Sequence, residues 1–288
     1  FFLKQEKKLT LINLKKYLKS IEKLDVFIDF DRSLVKYRNE IKDIPKIIWI
    51  HASLCEMAKK NSINIDEMGV ILNDYEKVVV ICDEMRDEIN SLYPFLKEKV
   101  TVIYNPFDFE KIKIKAKDWE ELSVEEEEML EKNYIVSVSK IDENLYIVGD
   151  GDGKEEIEKL THELELDDRV KFLGMKKNPF IWIENSKLFV HSSKYEGFGL
   201  VLVEAMILGV IVVSSDCPVG PKEILENGNS GLLFVTGNEV DLAEKIIKIL
   251  NDKELSRKLK KNMEIRINTF RIHKVLERFY DIIENIKI

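Results

Sequence analysis

Short, almost wholly apolar runs alternate with longer amphipathic stretches through most of this chain. That alternation predicts parallel β-strands covered by helices on both faces. In the first part the runs fall at 25–28, 47–50, 78–81 and 100–103. In the second they fall at 134–138, 145–148, 170–173, 188–190 and 211–214. Between the two series lies a charge-rich passage, 111–132, which reads as a surface connection between domains. The expected fold is therefore α/β, with two doubly wound Rossmann-like domains facing a cleft. Their expected bounds are 1–112 and 113–270, followed by a last helix over 271–288. That helix carries Ile272, Val275, Leu276, Phe279, Ile282, Ile283 and Ile286 on one stripe, as a helix packed on a domain surface does.

The most informative segment follows the apolar strand at 187–191. Glu196, Gly197, Phe198 and Gly199 form a glycine turn, after which Leu200, Val203, Met206 and Ile207 recur at helical spacing. The first N–H groups of a helix have no intrahelical partner and carry partial positive charge, so those near Phe198, Gly199 and Leu200 can cradle a diphosphate. Glycine matters there because a Cβ would hold a phosphate away from the backbone. Glu204 falls one to two turns into the helix, where a carboxylate can accept hydrogen bonds from ribose hydroxyls. Glu196 sits at the strand end, facing a sugar. Either glutamate alone reads as an ordinary surface acid; the combination is the layout of a sugar-nucleotide site.

The segment 192–234 resembles the donor-site core of the retaining GT-B glycosyltransferases called GT4, whose E-x7-E hallmark is met by Glu196 and Glu204. The resemblance continues through a strand at 211–213, a loop at 216–221, a helix from Lys222 and a glycine turn into Leu232. It implies that Glu196 approaches the donor sugar, that Glu204 holds the nucleotide ribose, and that the backbone of Gly197, Phe198, Gly199 and Leu200 binds the diphosphate. Lys140 occupies the position where the family has arginine, and would neutralise the diphosphate as a point charge. The companion lysine of that clamp has no visible counterpart. His51 resembles the family's first-domain histidine at the cleft and is the second catalytic candidate. Gly174, after the strand at 170–173, matches the loop that holds the nucleotide base through its backbone. The Asn105–Pro106 turn resembles a structural turn before the interdomain link, and the glycines of 149–153 read as a tight turn lining the cleft.

The function so implied is transfer of a hexose from a nucleotide sugar, UDP-linked by expectation, to a glycan or lipid-linked acceptor in lipopolysaccharide or other surface-glycan synthesis. No cofactor and no metal are expected, since His162, His191 and His273 show no ligand spacing. The alternatives are a non-catalytic GT-B-like binding subunit and a GT-B epimerase or phosphorylase. Two departures from the family, lysine at position 140 and an absent glycine loop, keep the first of these open. Its members begin with a strand and a glycine-rich loop that have no counterpart here, so the first domain is expected to be incomplete at its N-terminus. The strands before 138 and after 144 are also joined too tightly, because a parallel crossover needs at least about 10 residues. A crossover segment is therefore expected to be missing at Glu143–Asn144.

Composition narrows the partners. A net charge of −8 argues against a nucleic-acid surface. Residues 1–50 nevertheless carry 12 Lys and Arg against 7 Asp and Glu, with Lys15, Lys16 and Lys19 close together. On an amphipathic helix these would touch anionic lipid, although a solvated face explains them as well. No apolar run approaches the roughly 18 residues of a membrane span. Three cysteines without a pairing pattern fit reduced thiols and the cytoplasm, with the inner face of the plasma membrane as a place of work.

Overall fold

The structure is a computed structural model that describes residues 25–286 apart from 42, 61, 121, 137–143 and 152. It divides into two compact units. The first reaches to Tyr104 and takes in the chain from Leu276; the second is Asn105–Val275.

The first unit is built on four parallel strands in the order of the chain: β1 (Phe27–Phe30), β2 (Lys46–Ile50), β3 (Lys77–Val80) and β4 (Val100–Val102). Ile47, Ile48, Ile50, Val78, Val79 and Val80 are fully buried, as expected of strands covered on both faces. The intervening helices are α1 (Leu54–Lys59), α2 (Ile65–Asn73) and α3 (Asp83–Leu92). Their ends are satisfied locally. Asn64 caps α2 by accepting from the amides of Asp66 and Glu67. Glu88 of α3 reaches across to the start of α1, accepting from the Leu54 amide at 2.7 Å and the Ser53 hydroxyl at 2.5 Å.

An acidic side chain lies wholly inside this unit. Asp29 of β1 is fully buried and accepts hydrogen bonds from the Tyr75 hydroxyl and the Leu34 amide, both at 2.9 Å. Burial and the neighbouring Asp29 both push the Tyr75 phenol up, so it stays a donor at ordinary pH. The last helix, α12 (Ile272–Ile286) once the helices below are counted, brings Phe279 to 5.6 Å from the ring of Trp49.

The second unit opens with α4 (Phe109–Ala116) and α5 (Val124–Leu130). The passage 111–132 is thus not a plain surface connection. Asp108 caps α4 through the Lys111 amide, and Ser123 and Glu126 close α5 with a reciprocal capping box. Ile112, Ala116 and Leu130 are buried beneath the charged face. The division between units also falls earlier than the expected 112, after Tyr104. The Asn105–Pro106 turn leads directly into the second unit, where the Phe107 amide donates to the Phe270 carbonyl at 2.9 Å and the Arg271 guanidinium lies over Phe109.

Six parallel strands follow: β5 (Tyr134–Val136), β6 (Asn144–Val148), β7 (Val170–Gly174), β8 (Leu188–His191), β9 (Val212–Ser215) and β10 (Leu232–Phe234). The helices between and after them are α6 (Lys154–Glu163), α7 (Phe180–Glu184), α8 (Leu200–Ile207), α9 (Pro221–Ile224), α10 (Glu239–Asn251) and α11 (Lys253–Ile267). Across the sheet the order is β10-β9-β8-β5-β6-β7. The chain therefore builds outward from β5 on one side and returns to build outward from β8 on the other, the doubly wound arrangement of dinucleotide-binding folds. Ile135, Leu188, Val190, Val213 and Phe234 pack against Leu242, Ile246 and Leu259 in its core. The expected break at Glu143–Asn144 lies outside the described residues. On either side of it β5 and β6 are parallel neighbours, Tyr134 beside Asn144 and Val136 beside Tyr146.

Replacing Tyr75 by Phe removes a donor from a buried carboxylate. The expected cost is about 1–3 kcal/mol, read as a lower urea midpoint with unchanged slope. An unchanged midpoint would show that Asp29 does not need the phenol.

Candidate functional site

In a doubly wound sheet the crevice for a ligand opens beyond the carboxyl ends of the strands, where the winding reverses. Here that point lies between β5 and β8; His191 ends β8, and the loop leaving it carries Ser193 and Glu196. Two fully buried serines at the end of β9 hold this loop. The Ser215 hydroxyl donates to the Ser193 carbonyl at 2.5 Å, and the Ser214 hydroxyl meets Nδ1 of His191 at 3.2 Å. The other ring nitrogen of His191, Nε2, lies 2.9 Å from Oε1 of Glu196. Burial alone would raise the pKa of Glu196. Its hydrogen bond and charge interaction with His191, with the Ser193 hydroxyl and the Gly197 amide, outweigh that and hold it below the usual glutamate range.

The chain then turns through Gly197, Phe198 and Gly199 into α8. Gly199 takes φ +91°, which favours glycine, and serves as the N-cap with no side-chain cap bond. Phe198 is buried, with its ring edge-on to Phe270 at 6.0 Å. Its backbone runs so close to Gly220, the residue before α9, that a Cβ there would stand 1.8 Å from the Phe198 carbonyl oxygen. Gly220 itself has φ +106°. Arg266 of α11 secures the other end of α9, donating to the carbonyls of Glu223 and Ile224 at 2.9 and 3.2 Å.

Glu204, on the second turn of α8, is partly buried, and burial pushes its pKa up. It and Leu200 line an open pocket of about 380 Å³, whose other walls include Asn105, Lys111, Lys115 and Phe180. The Lys115 ammonium lies 5.9 Å from the Phe180 ring centre. A second pocket, of about 260 Å³, is formed by the glycine loop after β6, with Phe172 and Lys154. There Gly149, at φ +139°, donates its amide to the Gly174 carbonyl at 2.9 Å.

The structure thus gathers Glu196, Gly197, Phe198, Gly199, Leu200 and Glu204 in one loop and helix. Gly174 ends β7, with β5 and β6 between it and β8. His51 belongs to the first unit, just after β2. Its Nδ1 is 3.9 Å from Oδ1 of Asp31, and its ring stacks on Trp49 and tilts against Phe30. Burial lowers its pKa, partly offset by Asp31. Lys140 lies outside the described residues, as do Lys15, Lys16 and Lys19. Among the described residues no group of three or more His, Cys, Asp or Glu is placed to hold a metal, and no helix is long and apolar enough to cross a membrane.

Sequence reasoning missed two things. His191 was weighed only as a metal ligand, although its place at a strand end shortly before Glu196 was a usable signal. The lysines of α4 gave none, since their approach to Glu204 is set by packing between helices far apart in the chain.

Two parallel-sheet α/β units, one of them wound as above, define a GT-B-like fold. Anabaena Alr3699/HepE in complex with UDP shares it, with a TM-score of 0.77 at 20% identity over 94% of this chain and 81% of that one. The family model described as glycosyl transferases group 1 matches residues 121–266, just over half of the chain, and the chain belongs to that family. An uncharacterized glycosyltransferase of Methanocaldococcus jannaschii, MJ1059, is 26% identical over 266 residues, covering 72% of this chain and 63% of that protein. The Campylobacter jejuni N-acetylgalactosamine-N,N'-diacetylbacillosaminyl-diphospho-undecaprenol 4-alpha-N-acetylgalactosaminyltransferase is 27% identical over 211 residues, covering 68% and 57%. The chain therefore spans 63% and 57% of the lengths of these two relatives.

Gly220→Ala is expected to destabilise the second unit by about 2 kcal/mol or more, because the methyl meets main chain and the left-handed φ disfavours alanine. Urea unfolding measures it. A variant as stable as the wild type would mean that the Phe198 loop can move aside at little cost.

Proposed function

We propose that this chain carries the donor site of a retaining glycosyltransferase of the GT4 type. It would move a hexose from a UDP-sugar to a glycan or lipid-linked acceptor in surface-glycan synthesis, at the cytoplasmic face of the membrane. One observation carries the reading: Glu196 and Glu204 flank the uncapped start of α8 at the switch point of a doubly wound sheet. UDP as the leaving group is supported by the fold shared with the UDP-bound Anabaena protein. A lipid-linked acceptor is supported by the name of the Campylobacter relative.

The chemistry follows from where charge develops. As the bond from the anomeric carbon to the diphosphate breaks, negative charge grows on the diphosphate and positive charge on the sugar. The first amides of a helix carry partial positive charge, so those at the start of α8 would stabilise the former without reorganising. Lys140 would add a point charge at the same group, and no metal is needed in this scheme. Glu196, kept ionised by its donors, suits the developing positive charge and the sugar hydroxyls. In a retaining displacement the acceptor enters on the face the diphosphate leaves, and a phosphate oxygen takes the acceptor's proton. Glu204 would accept from the ribose hydroxyls, and the Gly174 backbone would meet the base. For His51 the proposal rests on the family resemblance and on an imidazole that burial keeps neutral, able both to donate to and to accept from a hydroxyl.

Three measurements test this. UDP at 100 times its Kd is expected to stabilise the wild type by about 2.7 kcal/mol, more than ADP or GDP at equal concentration. Glu204→Ala is expected to weaken that effect. Glu196→Gln is expected to cut transfer or donor hydrolysis at least tenfold, about 1.4 kcal/mol, with the UDP effect retained. Wild-type turnover in purified Glu196→Gln, or failure of the wild type to release UDP from any UDP-hexose, would refute the reading.

A further inference from the structure

We infer that His191 is a positioning residue for Glu196: its imidazole holds one carboxylate oxygen so that the other is presented to the donor sugar. The inference rests on the transferase reading and adds to it a residue that works through the glutamate, not on the substrate.

The geometry is closed at both ring nitrogens. A carboxylate can only accept, so Nε2 carries the hydrogen in the 2.9 Å contact with Oε1. Nδ1 meets the Ser214 hydroxyl at 3.2 Å; in the neutral ring with its hydrogen on Nε2, Nδ1 accepts that hydroxyl's one hydrogen, and the Ser215 carbonyl, 3.1 Å from the same oxygen, is the hydroxyl's alternative acceptor. Ser214 is fully buried in β9, and the His191 side chain is only 12% exposed. A flip of the ring therefore disturbs both contacts, and the imidazole is held between a buried strand and the glutamate. Glu196 has a long side chain with several rotatable bonds, on a loop between strand and helix. Anchoring one oxygen removes most of its freedom before substrate arrives. The Ser193 hydroxyl and the Gly197 amide support the same carboxylate from its own loop.

This arrangement separates from a merely structural role in several readouts. His191→Ala is expected to lower kcat for transfer or donor hydrolysis about 10- to 100-fold while leaving stabilisation by UDP unchanged, because UDP lacks the sugar that Glu196 faces. His191→Gln, whose amide N–H can replace Nε2–H, is expected to recover most of the loss. In the Glu196→Gln background His191→Ala should add little, since residues that act as one unit are non-additive. Carbon-13 NMR of the Glu196 carboxyl provides a readout independent of turnover. Its titration should move upward in His191→Ala, since the cost of burial stays while the donor is lost. Full additivity, no recovery by glutamine, or an unmoved carboxyl titration would each overturn the inference. If the wild type turns over no nucleotide sugar at all, the transferase reading falls, while the carboxyl titration still decides whether His191 holds Glu196.

Discussion

The contact on which the second unit's site depends is one of backbone against backbone. The Phe198 carbonyl lies where any side chain at position 220 would have to be, so the loop after β8 is seated on the loop after β9 with no side chain between them. Val219, next to it, holds φ +68°, a conformation that costs a β-branched residue about 1–3 kcal/mol and persists only where its surroundings impose it. Those surroundings are the buried Phe198 ring against Phe270, and Arg266, which lies over Phe270 while bonding the end of α9. The result is that the first turn of α8 is fixed by main-chain geometry. No side chain caps it.

How much of this was legible in the sequence depended on whether the determinant was local. Parallel strands buried on both faces read as continuous apolar runs, so nine of them were visible at nearly their observed places. The first was displaced, expected at 25–28 and found at Phe27–Phe30, because its extent is set by pairing with Lys46–Trp49 and not by its own apolar content. The glycine turn and its two glutamates were legible because the spacing that places them on one loop and helix is a spacing along the chain. Residues 111–132 were misread because their two helices bury only a few side chains under a lysine- and glutamate-rich face, too few to impose a period. The caps, Asp108 and Ser123 with Glu126, were the better signal.

The partners of the glutamates were not legible, because they arrive from elsewhere in the fold. Ser214 reaches His191 only when β9 lies beside β8, in the register that pairs the two residues. Lys111, Lys115 and Asn105 approach Glu204 only after α4 and α7 have packed beside α8. A motif of seven intervening residues states which carboxylates are present, but their protonation is decided by neighbours that the motif does not contain.

Those neighbours give two identical side chains opposite characters. Glu196 is buried enough to be penalised as an ion, yet its imidazole, hydroxyl and amide partners reverse that and keep it charged. Glu204 is penalised in the same way, and burial carries its pKa upward. Environment alone divides them, as it does in enzymes whose paired carboxylates take different roles. A firmly ionised carboxylate suits a place where positive charge develops. One whose ionised form is less favoured gains from hydroxyl donors such as those of a ribose, because the bound ligand then supplies the hydrogen bonds that the protein withholds. The division of labour proposed for the two glutamates is therefore consistent with the opposite directions in which their surroundings move them.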